Sequence, residues 1–177
     1  MTHSFLIAGF GGQGVLFAGK FLVNKGMLEG KEVSWLPSYG PEMRGGTANC
    51  SVIVSDEPVG SPIVDHPDVL IVMNLPSLDK YEKSVQPGGM IFVDSTLVER
   101  MVERTDVTTY YVPATGIASE NGMTTLANMI LTGKVLKALG EFNEGVDAAL
   151  KKVVSVKHPE MYDVNLKALQ LGRDYGE

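Results

Sequence analysis

The sequence predicts an α/β fold: a doubly wound, mostly parallel or mixed sheet, with helices on both faces and a helical C-terminal third. Three observations predict it. Short apolar runs of strand length alternate with helical segments over the first two thirds of the chain. A glycine turn joins the first strand to the first helix. After Thr124 the apolar spacing is helical only. At 177 residues the chain has the size of one domain, and residues 1–177 are read as a single unit.

Phe5-Leu6-Ile7-Ala8 is a continuous apolar run ending in glycine, which suits a strand buried on both faces. The helix that follows places Val15, Leu16, Ala18, Leu22 and Val23 on one broad face, and Gly26 is expected to end it. Val33–Leu36 is a second strand, stopped by Pro37, and Thr47–Ser55 is a third. Residues 56–67 hold three prolines and a glycine, so they are loop. Val69–Met73 is the clearest central strand. Pro76 and Ser77 then open a helix expected to reach about Val85. Pro87-Gly88-Gly89 turns the chain into a strand at Met90–Val93, and Thr108–Val112 is a further strand closed by Pro113. Thr124–Leu139 is apolar almost all round, as in a helix buried against a sheet. Val146, Ala149, Leu150 and Val153 mark an amphipathic helix, and Val164, Ala168, Leu171 and Tyr175 mark the last one.

Composition excludes several functions. With 44% hydrophobic residues the chain has material for a real core. A net charge of −6 and the lack of any basic stripe argue against nucleic acid as a partner. No apolar run approaches the roughly 20 residues of a membrane span. The first strand begins by Ser4, leaving no room for a signal peptide, so a cytoplasmic protein is expected. Cys50 is the single cysteine, too few thiols for a disulfide or an iron–sulfur cluster, and its strand-like setting suggests a buried, inert thiol. His3, His66 and His158 share no metal-ligand spacing and are read as structural or surface residues.

Two loops carry the chemistry. Gly9-Phe10-Gly11-Gly12-Gln13-Gly14 matches G-x-G-x-x-G between a strand and a helix, where bare amides and a helix N-terminus favour an anion. The motif is also compatible with a tight turn that only packs helix on strand, or with docking of another chain. A dinucleotide site needs an acid at the end of the second strand to hold a ribose hydroxyl. That strand ends Trp35-Leu36-Pro37-Ser38, and Glu29 and Glu32 precede it, so the acid is missing where it is needed. The second loop, Ser38-Tyr39-Gly40-Pro41-Glu42-Met43-Arg44-Gly45-Gly46, leaves the carboxyl end of that strand. The Arg44 guanidinium beside two glycines suits an anion nest, and equally a rigid turn held by an Arg44–Glu42 pair.

Taken with the Ser55-Asp56-Glu57-Pro58 turn, Pro87-Gly88-Gly89, Asp94-Ser95 and Ala127-Asn128-Met129, these loops give a sequence that resembles the gamma domain of the 2-oxoacid:ferredoxin oxidoreductases over essentially its whole length. The resemblance implies a multi-subunit enzyme that decarboxylates a 2-oxoacid on thiamine diphosphate, passes electrons through iron–sulfur clusters to ferredoxin, and releases an acyl-CoA. It implies that thiamine diphosphate, magnesium and clusters sit on partner subunits, that this chain is not catalytic alone, and that coenzyme A phosphates meet Gly11, Gly12, Gln13, Gly14 and Arg44. Trp35, Tyr39 and Met43 are candidate anchors for the partners, and the isolated chain is expected to pair with itself. Two rivals stay open: a free-standing Rossmann-type nucleotide-binding oxidoreductase, and the related subunit of an indolepyruvate:ferredoxin oxidoreductase.

Overall fold

The computed structural model describes residues 1–38 and 47–176. Its strands are β1 (Thr2–Phe10), β2 (Glu32–Ser38), β3 (Thr47–Ser55), β4 (Val69–Val72), β5 (Met90–Asp94) and β6 (Thr108–Val112). Its helices are α1 (Val15–Leu28), α2 (Leu75–Tyr81), α3 (Ala114–Glu120), α4 (Ala127–Ala138), α5 (Gly145–Val153) and α6 (Glu160–Asp174). A 3-10 turn, Glu82–Ser84, extends α2.

The strands form one mixed sheet in the order β2-β3-β1-β4-β5-β6. β1, β4, β5 and β6 run parallel, while β3 lies antiparallel between β1 and β2. Side chains alternate across the sheet. Phe5 and Ile7 of β1 join the larger core under α1, α3, α4, α5 and α6, whereas Leu6 faces a smaller core with Leu70, Val72, Ile91 and Val93 beneath Leu78 of α2. Both faces are therefore covered, as expected. The C-terminal helices close tightly on one another. A β-carbon on Gly133 would come within 2.0 Å of the Leu169 carbonyl oxygen, and one on Gly172 within 1.7 Å of that of Ile130, so α4 and α6 cross almost backbone to backbone.

Several boundaries differ from the sequence reading, each for a local reason. α1 does not stop at Gly26, which lies inside the helix because a β-carbon there would meet Val33 and Val54 at 2.8 and 2.9 Å. The helix ends instead in a Schellman motif: Gly30, at φ 77, donates to the Met27 carbonyl (3.1 Å), and Lys31 donates to that of Gly26 (3.0 Å). Pro37 does not break β2, because β2 is an edge strand and needs no outward amide. α3 was not foreseen, being a short run of small residues with no apolar stripe. β3 separates the first two strands. Both run against β3, so their carboxyl ends still share one edge of the sheet.

Candidate phosphate-binding glycine loop

The loop at residues 11–14 stands at that carboxyl edge. β1 brings the chain up between β3 and β4, with Phe10 paired to Thr47 and Ala8 to Val72. Gly14 then occupies the N-cap of α1 in the left-handed region (φ 75, ψ 24), which is why glycine is required there. Glycine also has no side chain with which to cap the helix, and no acidic residue stands in the first turn. The first bond of the helix is Ala18 N–H to the Gly14 carbonyl at 3.1 Å, so the amides of Val15, Leu16 and Phe17 precede the ladder. These three residues line a cavity of about 280 Å³ with Phe10, Gly11, Gly12, Gly14 and Ala48. N–H groups ahead of the ladder, at the positive end of a 14-residue helix, favour an anion.

Two amide side chains, the half-buried Gln13 and the buried Asn128, hold this loop. Gln13 accepts from the Phe10 N–H at 2.6 Å and donates to the Met73 carbonyl at 3.0 Å, tying the loop to the end of β4. Its own backbone N–H donates to the Phe10 carbonyl at 3.2 Å. Gln13, expected among the phosphate contacts, thus links Phe10 to Met73 across the base of the loop. Asn128, in the first turn of α4, donates to the Gly14 carbonyl at 2.9 Å. Sequence reasoning foresaw helix-start amides at this loop but assigned no role to Asn128. The available signal was one amide inside the apolar run Leu126-Ala127-Asn128-Met129-Ile130-Leu131.

Gly11, Gly12 and Gly14 all line this one cavity. Arg44, Tyr39 and Met43 lie outside the described residues. The strand residues on either side of residues 39–46 are placed: Ser38 pairs with Asn49, and Thr47 with Phe10, beside the glycine loop. Trp35 stands 37% exposed on the edge strand, next to Leu36 at 41%. Cys50 is buried, and burial pushes its thiol pKa up to about 12, so it has the inert character expected of it. A larger hollow of about 650 Å³ lies between the end of α1 and the start of α5, lined by Glu29, Lys31, Asn143 and Glu144. Among the described residues, no His/Cys/Asp/Glu group is arranged to hold a metal, and no helix is long and apolar enough to cross a membrane.

The chain belongs to the pyruvate ferredoxin/flavodoxin oxidoreductase family, whose model matches residues 4–175. Its relatives make the membership more particular. The 2-oxoglutarate synthase subunit KorC of Methanothermobacter marburgensis is 35% identical, over 98% of this chain and 96% of the relative. The ketoisovalerate oxidoreductase subunit VorA of the same organism is 42% identical over 96% of this chain. The chain spans only 35% of the length of that VorA. Among solved structures, the gamma subunit of a keto/oxoacid ferredoxin oxidoreductase from Geobacter sulfurreducens superposes with a TM-score of 0.85 at 28% identity, over 98% of this chain and 95% of that one. The 2-oxoglutarate:ferredoxin oxidoreductase of Magnetococcus marinus shares the fold alone (TM-score 0.86, 22% identity, 97% of this chain and 30% of that chain). The gamma-domain resemblance read from the two loops therefore holds.

Proposed function

We propose that this chain acts as the gamma-type subunit of a 2-oxoacid:ferredoxin oxidoreductase, taking part in oxidative decarboxylation of a 2-oxoacid to an acyl-CoA without carrying the redox cofactors. The observation that carries the reading is end-to-end similarity to a free-standing subunit, KorC, of a 2-oxoacid enzyme. Thiamine diphosphate, magnesium and iron–sulfur clusters belong in this reading to partner subunits. The donor set agrees, since the one thiol, Cys50, is buried and held protonated. Trp35 and Leu36, exposed on the open edge strand, supply apolar area for such partners.

The glycine loop supplies the ligand-binding part of the proposal. Amides of Gly11, Gly12 and Gly14 and of the first turn of α1, braced by Gln13, would take a phosphate of coenzyme A. Arg44, three positions before Thr47, would add a guanidinium from the neighbouring loop. The free-standing dinucleotide reading is weakened by the topology: the strand beside β1 on that side is the antiparallel β3, and β2 ends without an acid.

The test is made on the complex purified from its native source, or rebuilt with the chains encoded beside it. Thiamine- and cluster-bearing subunits should co-purify with this one. In that complex Arg44→Ala should weaken coenzyme A about ten- to hundredfold, taking about 1.4 kcal/mol per decade and about 1.5–3 kcal/mol for a charge-assisted contact. Decarboxylation and cluster reduction should survive. A chain that purifies alone at every salt concentration refutes the assembly. An intact Arg44→Ala complex with unchanged coenzyme A affinity removes Arg44 from the site.

A further inference from the structure

Asn128 sits in the first turn of α4 at 3% exposure, between the buried apolar residues Ala127, Met129, Ile130 and Leu131. Its NH2 group donates to the Gly14 carbonyl at 2.9 Å, while its carbonyl oxygen, also buried, has no hydrogen-bond partner. The orientation follows from chemistry: the Gly14 oxygen can only accept, so the NH2 must face it. A buried acceptor left unmatched costs stability. Leucine, of similar size, would avoid that cost in a helix packed this way. An amide here is thus poorly explained by packing and well explained by what its donor holds.

The donor holds one peptide plane. In a trans peptide the C=O and the following N–H point in opposite directions. Drawing the Gly14 carbonyl towards Asn128 and Ala18 therefore aims the Val15 N–H the other way, back along the helix towards the glycine loop and its cavity. The fit is close on the other side too. A β-carbon on Gly14 would stand 2.4 Å from Asn128 Nδ2 and 2.8 Å from its Cγ, so Asn128 fills the space that any other residue at the N-cap would need.

We infer that Asn128 is a positioning residue for the anion-binding amides of the glycine loop, fixing the Gly14–Val15 peptide from the opposite side to the ligand. The inference rests on the phosphate reading proposed above, and the experiment separates the two. The full-length chain is labelled with ¹⁵N and titrated with inorganic pyrophosphate, following the backbone amides of Val15, Leu16 and Phe17. Wild type should show saturable shifts at these amides. Asn128→Leu should keep or raise the melting temperature, having lost an unmatched acceptor, and should bind pyrophosphate about tenfold more weakly, equivalent to about 1.4 kcal/mol. Asn128→Ser, which keeps a donor on a shorter arm, should fall between them, and it decides the matter should Asn128→Leu fail to fold. No shift in wild type overturns the phosphate reading and this inference with it. Shifts of equal affinity in wild type and the folded variants overturn this inference alone. A lowered melting temperature with unchanged affinity likewise makes Asn128 a packing residue and overturns it.

Discussion

At the carboxyl edge of the sheet, β1 gives way to glycines, helix-start amides and the neutral side chains of Gln13 and Asn128. At the amino edge, the same strand begins inside a chain of charges. There His3 meets Asp68 at 3.0 Å and Glu141 at 3.7 Å, while Lys25 meets Glu29 at 2.7 Å and Glu141 at 3.9 Å. Asp68 also accepts from the Ser4 N–H at 2.6 Å, binding the starts of β1 and β4 together. Glu141 is set in place by the turn that ends α4, where its N–H donates to the Leu136 carbonyl at 2.8 Å. The amino edge uses matched charges to fasten α1 and the α4–α5 connection to the sheet. The carboxyl edge instead leaves donors unmatched. The contrast shows where stability and ligand affinity reside, and each can be disturbed separately.

The largest effect on stability is expected at the amino edge. Lys25 is 2% exposed and donates to Glu29, so Lys25→Met should cost about 1.5–3 kcal/mol, the range for hydrogen bonds to charged groups. Thermal unfolding should show a drop of several degrees, at about 2–4 °C per kcal/mol for a chain of this size. Pyrophosphate affinity at the other edge should not move. If it falls as far as in a glycine-loop variant, the two edges are coupled and the contrast breaks down.

Gly12→Ala should do the reverse. Gly12 sits at φ 89 with open space around the position of a β-carbon, so the substitution meets no clash and only backbone strain of about 1–2 kcal/mol. Its new methyl group, standing at the cavity wall, should lower pyrophosphate affinity about tenfold with a smaller loss of melting temperature than Lys25→Met. Loss of stability with full affinity would show that the loop amides do not reach the ligand.

How much of this could be read from the chain follows from sequence distance. The glycine loop was legible because its turn, its flanking strand and its helix are contiguous, as were the apolar runs that became β1, β4 and β5. Order within the sheet was not, since an apolar run does not reveal its neighbour. The alternation Ala48, Cys50, Val52, Val54 against Asn49 and Ser51 marks β3 as a strand without saying that it intrudes between β1 and β2. The supports were hidden for the same reason. Asn128 lies 114 residues from Gly14, and Asp68 lies 65 residues from His3. A lone His or Asn in a sequence does not announce the partner that gives it a task.

His3 yields the smallest and most selective effect. Its hydrogen bond to Asp68 raises its pKa above the ordinary 6.5, against burial, which lowers it; the negative charges of Asp68 and Glu141 add to the rise, and the N-terminal ammonium opposes it. A group whose folded pKa is raised binds its proton more tightly in the native state, so stability falls as pH rises through the interval between the two values. His3 should therefore contribute fully below pH 6.5 and lose that contribution as pH climbs through its folded pKa. The comparison is wild type against His3→Gln over one pH series, which cancels whatever pH dependence the two proteins share. The difference in melting temperature should be largest on the acid side and shrink as pH rises. The pyrophosphate affinities of the two proteins should stay equal to each other at every pH, because the ligand's own titration is common to both. A constant difference in melting temperature would mean that His3 serves the amino edge as a neutral hydrogen-bonding ring. In that case its tie to Glu141 carries no charge, and the ion pair of that carboxylate with Lys25 does not depend on His3.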